Sequence, residues 1–246
     1  FVEGASLRFD TFPDYLGYEI IPVIWDCWPR YVENMAKWFH KHKVQTAFFT
    51  SSQTAERMRS LCPNVNINHL PEAIETELYH AGKPLSERSI DYLEFGRCSR
   101  ILDSTQFDKS IIVLSSRNER TGLKTRAQLA DALADSKITL ALTRLDNQPE
   151  LAEGVDTLTQ RYWECMLSGV VILGRAPQEL IDIIGYDPVV HLDKDNANDQ
   201  ILGILEHIED YQELVDRNRQ RALEHGDWKV RIEWMMGVMK KQGYEV

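Results

Sequence analysis

The residues best suited to bind a charged ligand lie between Gly154 and Gly169, in the order Gly-Val-Asp-Thr-Leu-Thr-Gln-Arg-Tyr-Trp-Glu-Cys-Met-Leu-Ser-Gly. We predict a helix from Thr157 to Leu167, and the first amides of a helix, which lack acceptors within it, can hold a diphosphate. Glu164 lies about two turns along this helix, where its carboxylate can bind a hydroxyl-rich group such as ribose. The spacing fits an alternative equally well. In it, Thr157 simply caps a surface helix, and Glu164 is a solvated residue of that helix.

Residues 156–174 resemble the donor-site motif of GT-B glycosyltransferases, especially the large retaining family 4 type. In that family a turn, a helix, an acidic residue, a small-residue end and a strand follow in this order. Two glutamates separated by seven residues mark the motif, and Asp156 and Glu164 have this separation, with Asp in the first place. The resemblance implies that Glu164 binds the ribose and that Asp156 contacts the donor sugar or supports catalysis. It also implies that Thr157, Leu158 and Thr159 bind the diphosphate or the sugar, mainly through their backbone amides.

A second segment with a charged end precedes this motif. Residues 93–97, Leu-Glu-Phe-Gly-Arg, resemble the first strand of the same family's donor domain, where a glycine, an arginine and a second basic residue project toward the diphosphate. The resemblance assigns diphosphate binding to Arg97 and, as a nearby substitute for the family's lysine, to Arg100. An arginine at a strand end can instead form an ordinary surface ion pair.

Residues 22–29 resemble the strand of the acceptor domain that ends facing the cleft. Many relatives have a histidine there, close to the reacting sugar, whereas this chain has Trp-Asp-Cys-Trp at positions 25–28. Asp26 is a candidate catalytic residue that could bind a hydroxyl or accept a proton, and Trp25 or Trp28 could stack on a sugar ring. Packing in the core is the equal alternative for both tryptophans.

We expect no metal at this site. The seven histidines have no close metal-ligand spacing, so basic side chains and backbone amides are expected to neutralise the diphosphate. The prediction is therefore of no cofactor, with a nucleotide-diphosphate sugar as co-substrate and a carbohydrate or glycoconjugate as acceptor.

Strand-like and helix-like segments alternate along the chain, which implies parallel sheets covered on both faces, with ligand sites at the carboxyl ends of the strands. The expected fold is α/β of the GT-B type, with two Rossmann-like domains. We assign 1–86 to a partial acceptor-side domain with a linker and 87–246 to a donor-binding domain with C-terminal helices. The polar segment 144–154 is interpreted as a loop. Residues 226–228 and the helix after them resemble the family's C-terminal return across the cleft.

The composition limits the classes of partner. With 38 acidic and 28 basic residues, the net charge of -10 disfavours a broad nucleic-acid contact. No apolar run approaches the roughly 18 to 20 residues that span a bilayer, and no signal peptide is recognisable, so we expect a cytoplasmic protein without a transmembrane segment. Peripheral membrane contact stays open, and the oligomeric state is not predicted. The absence of an initiating Met and the short acceptor-side domain lead us to expect missing upstream residues.

The predicted function is transfer of a sugar from a nucleotide-diphosphate donor to an acceptor hydroxyl, in polysaccharide or glycoconjugate biosynthesis. The family 4 likeness implies retention of the anomeric configuration, and the lack of metal-ligand spacing predicts catalysis without a protein-bound metal. Two alternatives stay open. Another GT-B enzyme, an epimerase or a phosphorylase, could share the pocket. A non-catalytic module that binds sugar nucleotides or docks a partner would fit the aspartate at position 156 and the missing histidine.

Overall fold

The computed structural model describes residues 2–6, 12–96, 101–116 and 123–245. Strands and helices alternate through these ranges, and the strands form two separate sheets. All neighbouring strands are parallel, as the alternation predicts. The predicted α/β class with two parallel sheets is confirmed.

The first sheet and its helices precede residue 70. Their bounds are β1 (Val2–Glu3), β2 (Val23–Trp25), α1 (Pro29–His42), β3 (Thr46–Phe49), α2 (Ser52–Leu61) and β4 (Asn66–His69). Within the described ranges this sheet has four strands, in the order β1-β2-β3-β4. Helices α1 and α2 bury their apolar residues on one face of it, against Ile24, Ala47 and Phe49. This packing fixes the end of β2, where the chain turns at Asp26.

The second sheet and its helices follow residue 89. Their bounds are β5 (Ile90–Glu94), β6 (Val113–Ser115), α3 (Arg126–Ala134), β7 (Ser136–Ala141), α4 (Arg144–Asn147), α5 (Pro149–Ala152), α6 (Gln160–Ser168), β8 (Val171–Gly174), α7 (Gln178–Ile184), β9 (Val190–His191), α8 (Ala197–Glu206) and α9 (Gln212–His225). Among the described residues it has five strands, in the order β6-β5-β7-β8-β9. Helices α3, α6, α7 and α9 cover one face and α8 the other.

The last helix, α10 (Trp228–Lys241), returns to the first sheet. Its residues Met235, Val238 and Met239 pack on the sheet face opposite α1, against Val23 and Phe48. The chain thus crosses between the two sheets twice. The division into domains 1–86 and 87–246 stays a proposal. No helix in the described part of the chain is both long and apolar enough to cross a membrane.

Two sequence expectations differ from the structure, and one strand lies where the sequence shows no complete strand pattern. The segment predicted as a loop, 144–154, contains the short helices α4 and α5, and Pro149 occupies the first turn of α5. Helix α6 begins at Gln160 rather than Thr157. The N-terminal segment, which lacks a strand pattern, pairs with β2 through Val2 and Glu3. For the start of α6 and for β1, contacts with distant residues decide the local conformation, and the periodicity of the sequence does not reveal such contacts.

Candidate functional site

A cavity of about 380 Å³ lies between the two sheets. Asp26, at the carboxyl end of β2, lines it from the first sheet, and Leu142, directly after β7, lines it from the second. Thr157, Thr159 and Glu164 line it from the turn before α6 and from α6 itself. The carboxyl ends of parallel strands are the expected place for a ligand in such folds, so this cavity is the candidate site.

The carboxylate of Glu164 lies at the junction of two cavities. It lines the cavity between the sheets and also a second cavity of about 440 Å³, which Phe95 and Arg126 line on the other side. The hydroxyl of Tyr79 donates a hydrogen bond of 2.8 Å to its Oε1. Burial, together with the charge of Glu164, raises the pKa of Tyr79 well above its ordinary value, so this hydroxyl stays a donor. The side chain of Glu164 is therefore held in the groove, where a ligand can reach it.

Arg161 is a positive group at this junction that the sequence did not indicate. It lines both cavities, lies 4.5 Å from the centroid of the Phe95 ring, and donates a 2.9 Å hydrogen bond to the Phe95 carbonyl. Gly96 has φ +69° there, and a Cβ on it would lie 1.8 Å from the Arg161 guanidinium. The only signal in the sequence is the position of Arg161 within the first turn of the motif helix.

Arg144 is a second positive group that the sequence did not indicate. Its guanidinium lies 4.6 Å from the centroid of the Trp28 ring and lines the cavity between the sheets. Arg144 begins the short helix α4, in a segment whose sequence predicts a loop, so the sequence gives no signal for this residue. Arg97 and Arg100, the predicted diphosphate-binding residues, lie outside the described residues.

The amides before α6 are only partly available to a ligand. The Leu158 amide donates to Glu179 Oε2 at 2.7 Å, and the Leu158 side chain is fully buried. Ligand binding by the Leu158 amide stays a prediction, and this geometry does not favour it, because the amide is already used within the protein. The amides of Thr157 and Thr159 have no acceptor among the described residues and lie at the cavity wall.

Glu179 joins the two sheets through this turn. Its Oε1 accepts hydrogen bonds from the amide and hydroxyl of Ser52, at 2.7 and 2.6 Å, at the start of α2. Its Oε2 accepts from the Thr157 hydroxyl at 3.0 Å as well as from Leu158. The carboxylate is buried, so these four donors replace its hydration. Sequence reasoning missed Glu179, since its donors are more than twenty residues away.

The predicted sugar-contacting acid, Asp156, is turned toward a different partner. Arg175 Nη1 lies 2.7 Å from Asp156 Oδ2, and Arg175 Nη2 lies 3.0 Å from Oδ1. The same guanidinium also binds Asp146. Asp156 is not among the residues that line the cavity between the sheets, within the described part of the chain. Its role in catalysis or sugar contact stays a prediction, and this geometry does not favour it.

Asp26 faces the site from the first sheet in a strained conformation. Its φ is +46°, which is rare for a residue with a side chain, and such strain is often found at functional sites. It lines the cavity between the sheets and a neighbouring cavity of about 340 Å³ that Arg30 and Tyr31 also line. Trp25 stacks on Trp228 with ring centroids 5.6 Å apart, so packing occupies one face of Trp25.

Glu72 is an acid of the cavity wall that the sequence did not indicate. Its Oε2 accepts the Gln160 amide at 3.2 Å, at the start of α6. Burial, and then the charge of Asp26, raises the pKa of Glu72 to about 8. The described residues contain no group of three or more potential metal ligands.

Comparisons with known proteins agree with this architecture. Residues 106–237, more than half of the chain, match a family described as Glycosyl transferase-like. No curated protein matches the sequence. A solved structure of sucrose-phosphate synthase from Thermosynechococcus elongatus superposes with a TM-score of 0.60 at 12% identity, covering 87% of this chain and 61% of that chain. This likeness shows the fold, and it confirms the predicted GT-B type. The chain spans less than two thirds of the length of that protein.

Proposed function

The chain belongs to the glycosyl transferase-like family, and we propose that it transfers a sugar from a nucleotide-diphosphate donor to an acceptor hydroxyl. The observation that carries the proposal is the position of Glu164 at the junction of two cavities. A nucleotide sugar is an elongated ligand with a pentose near its middle. A carboxylate at the junction can bind the pentose hydroxyls while the base occupies one cavity and the transferred sugar the other.

The positive groups near Glu164 support the placement of the diphosphate. The cavity between the sheets is lined by Arg161 and Arg144 and by Thr157 and Thr159, whose amides have no acceptor among the described residues. During transfer the bond between the anomeric carbon and the diphosphate oxygen breaks, and negative charge develops on the leaving diphosphate. Fixed donors stabilise that charge in a site of low water content. The proposal assigns this task to arginines and amides, with no protein-bound metal.

The acceptor is proposed to enter from the first sheet. The 340 Å³ cavity adjoins the main one through residues that line both, Asp26, Trp28 and Arg144. The acceptor hydroxyl oxygen forms the new bond to the anomeric carbon, and its proton passes to a base, for which Asp26 is the candidate. Retention of the anomeric configuration follows from the family 4 resemblance alone.

Nucleotide binding gives the first test. Thermal unfolding is measured with the diphosphates of uridine, guanosine, thymidine and adenosine, since a ligand that binds only the folded state raises its stability. We expect one diphosphate to raise the melting temperature, and Glu164→Ala to weaken its binding by about tenfold to a hundredfold, the effect of losing a hydrogen bond to a charged group. Glu206→Ala, which removes an exposed acid from α8, is the matched control. Unchanged affinity in Glu164→Ala would refute the ribose assignment.

A module that binds sugar nucleotides without catalysis is the second candidate. The pairing of Asp156 with Arg175 favours it, because that pairing withdraws one acid from the chemistry. An assay with radiolabelled nucleotide sugar distinguishes the enzyme from the binding module. It measures the release of free sugar and the transfer of sugar to an acceptor by the protein. Binding without either product would support the module.

A further inference from the structure

The acid that the sequence pattern offers for the donor sugar, Asp156, is already paired with a cation. Both carboxylate oxygens of Asp156 bind the Arg175 guanidinium, in a paired geometry that is stronger than a single hydrogen bond. To reach the cavity, Asp156 would have to leave this partner. The cavity wall must therefore supply another group to bind the hydroxyls of a sugar.

Glu72 has the free hydrogen-bonding capacity that Asp156 lacks. Its Oε2 accepts the Gln160 amide, whereas its Oε1 has no hydrogen-bond partner among the described residues. The side chain lines the main cavity and also a narrow recess behind it, between Asp26 and Thr157. The Trp163 indole donates a 2.8 Å hydrogen bond to the Glu72 carbonyl, which fixes the backbone at this position. One oxygen is thus held by the protein, and the other is without a partner among the described residues in a side chain that lines the cavity.

We propose that Glu72, rather than Asp156, binds a hydroxyl of the transferred sugar and so helps to determine donor specificity. The inference rests on the proposed function, because it places the sugar of a nucleotide sugar in the main cavity. The Gln160 amide that holds Glu72 follows directly after the turn whose free amides, at Thr157 and Thr159, are assigned to the diphosphate. A sugar attached to that diphosphate lies within the same part of the cavity.

The charge state of Glu72 suits this role. With a pKa of about 8, its carboxyl is mostly protonated at neutral pH and can both donate and accept a hydrogen bond. A sugar hydroxyl has the same double capacity. A neutral carboxyl also does not repel the diphosphate, whereas an ionised carboxylate in the same cavity would repel it and weaken donor binding.

The test compares a nucleoside diphosphate with its sugar conjugates. Calorimetry gives the affinity of the diphosphate that binds most tightly in the thermal panel, and of its glucose, galactose and N-acetylglucosamine conjugates. Glu72→Ala is expected to weaken the best conjugate about tenfold while changing the affinity for the bare diphosphate less than about twofold. Glu72→Gln, whose amide can also donate and accept, is expected to restore most of the lost affinity. Glu75→Gln, an exposed acid in the same segment, is the matched control and should change neither.

The possible results separate the two proposals. Retained binding of the bare diphosphate shows that Glu72→Ala is folded, so a selective loss for the conjugate supports the role of Glu72. An equal loss for both ligands would overturn it, because Glu72 would then act only through the Gln160 amide. Unchanged affinity for every conjugate would also overturn it. If no diphosphate binds the unmodified protein, the proposed function itself fails, and the role of Glu72 fails with it.

Discussion

At the scale of single residues, Glu72 and Glu164 line the same cavity from distant segments of the chain. Glu164 follows a turn and a helix start at a recognisable spacing, and Asp26 follows a buried strand. Glu72 and Arg161 have no such local signal. Their positions depend on contacts between segments that are far apart in the chain, such as the bond from Glu72 to the amide of Gln160. A single sequence does not contain these contacts.

The pKa of Glu72 leads to a prediction about stability. Burial and the charge of Asp26 raise this pKa from 4.5 to about 8, although the Gln160 amide lowers it in part. Between these values the folded protein keeps a proton that the unfolded chain has lost, so the free energy of unfolding falls as pH rises and stops falling above about pH 8. Glu72→Gln removes this titration.

Urea unfolding of both proteins at several values from about pH 5 to pH 8 measures the effect. We expect the stability of the unmodified protein to fall more steeply with pH than that of Glu72→Gln. Equal slopes would contradict the raised pKa.

At the scale of elements, the turn before α6 is shaped by a helix that follows it. The sequence predicted α6 and its following strand, yet placed the helix start at Thr157, three residues too early. The carboxylate of Glu179 in α7 binds the Thr157 hydroxyl and the Leu158 amide, and so holds this part of the turn outside the helix. The hydroxyl residues of this turn predict a helix cap. The conformation of the turn is instead decided by an acceptor in the next helix, the Glu179 carboxylate.

Glu179→Ala should therefore destabilise the protein and loosen the turn. Its removal leaves the Ser52 amide and hydroxyl, the Thr157 hydroxyl and the Leu158 amide without their acceptor. We expect a loss of about 3 kcal/mol in the free energy of unfolding, the cost of leaving buried donors unsatisfied. Urea unfolding measures it.

Asp182→Ala, at an exposed position on the same helix, is the control and should change stability by less than about 0.5 kcal/mol. An equally small loss in Glu179→Ala would show that the turn holds its shape without this carboxylate.

At the scale of the whole molecule, the alternation of strands and helices predicted parallel sheets, and the family resemblance predicted two of them. Strand β8 has a continuous apolar run and helix α1 has an apolar stripe, and local patterns of this kind indicate the fold class. How the sheets are joined depends on long-range contacts. Trp228, at the start of α10, stacks on Trp25 of the first sheet, more than two hundred residues earlier. In the sequence, the return of the C-terminal helix to the first sheet is indicated only by the family resemblance of residues 226–228 and the helix after them.

Trp228→Ala tests this connection. The side chain is partly buried, so we expect it to contribute less than a fully buried tryptophan, with a loss of about 2 kcal/mol in the free energy of unfolding. Val230→Ala, on an exposed side of the same helix, is the control and should have little effect. Equal stability of the two variants would show that the contact between Trp228 and Trp25 does not help to join the sheets.

The most direct measurement is a crystal structure of the protein with the nucleoside diphosphate that stabilises it most. We predict that a ribose hydroxyl lies within about 3.2 Å of the Glu164 carboxylate, with the phosphates near the amides of Thr157 and Thr159. A nucleotide bound away from the groove between the sheets, or a ribose that leaves Glu164 without a contact, would contradict the proposed site.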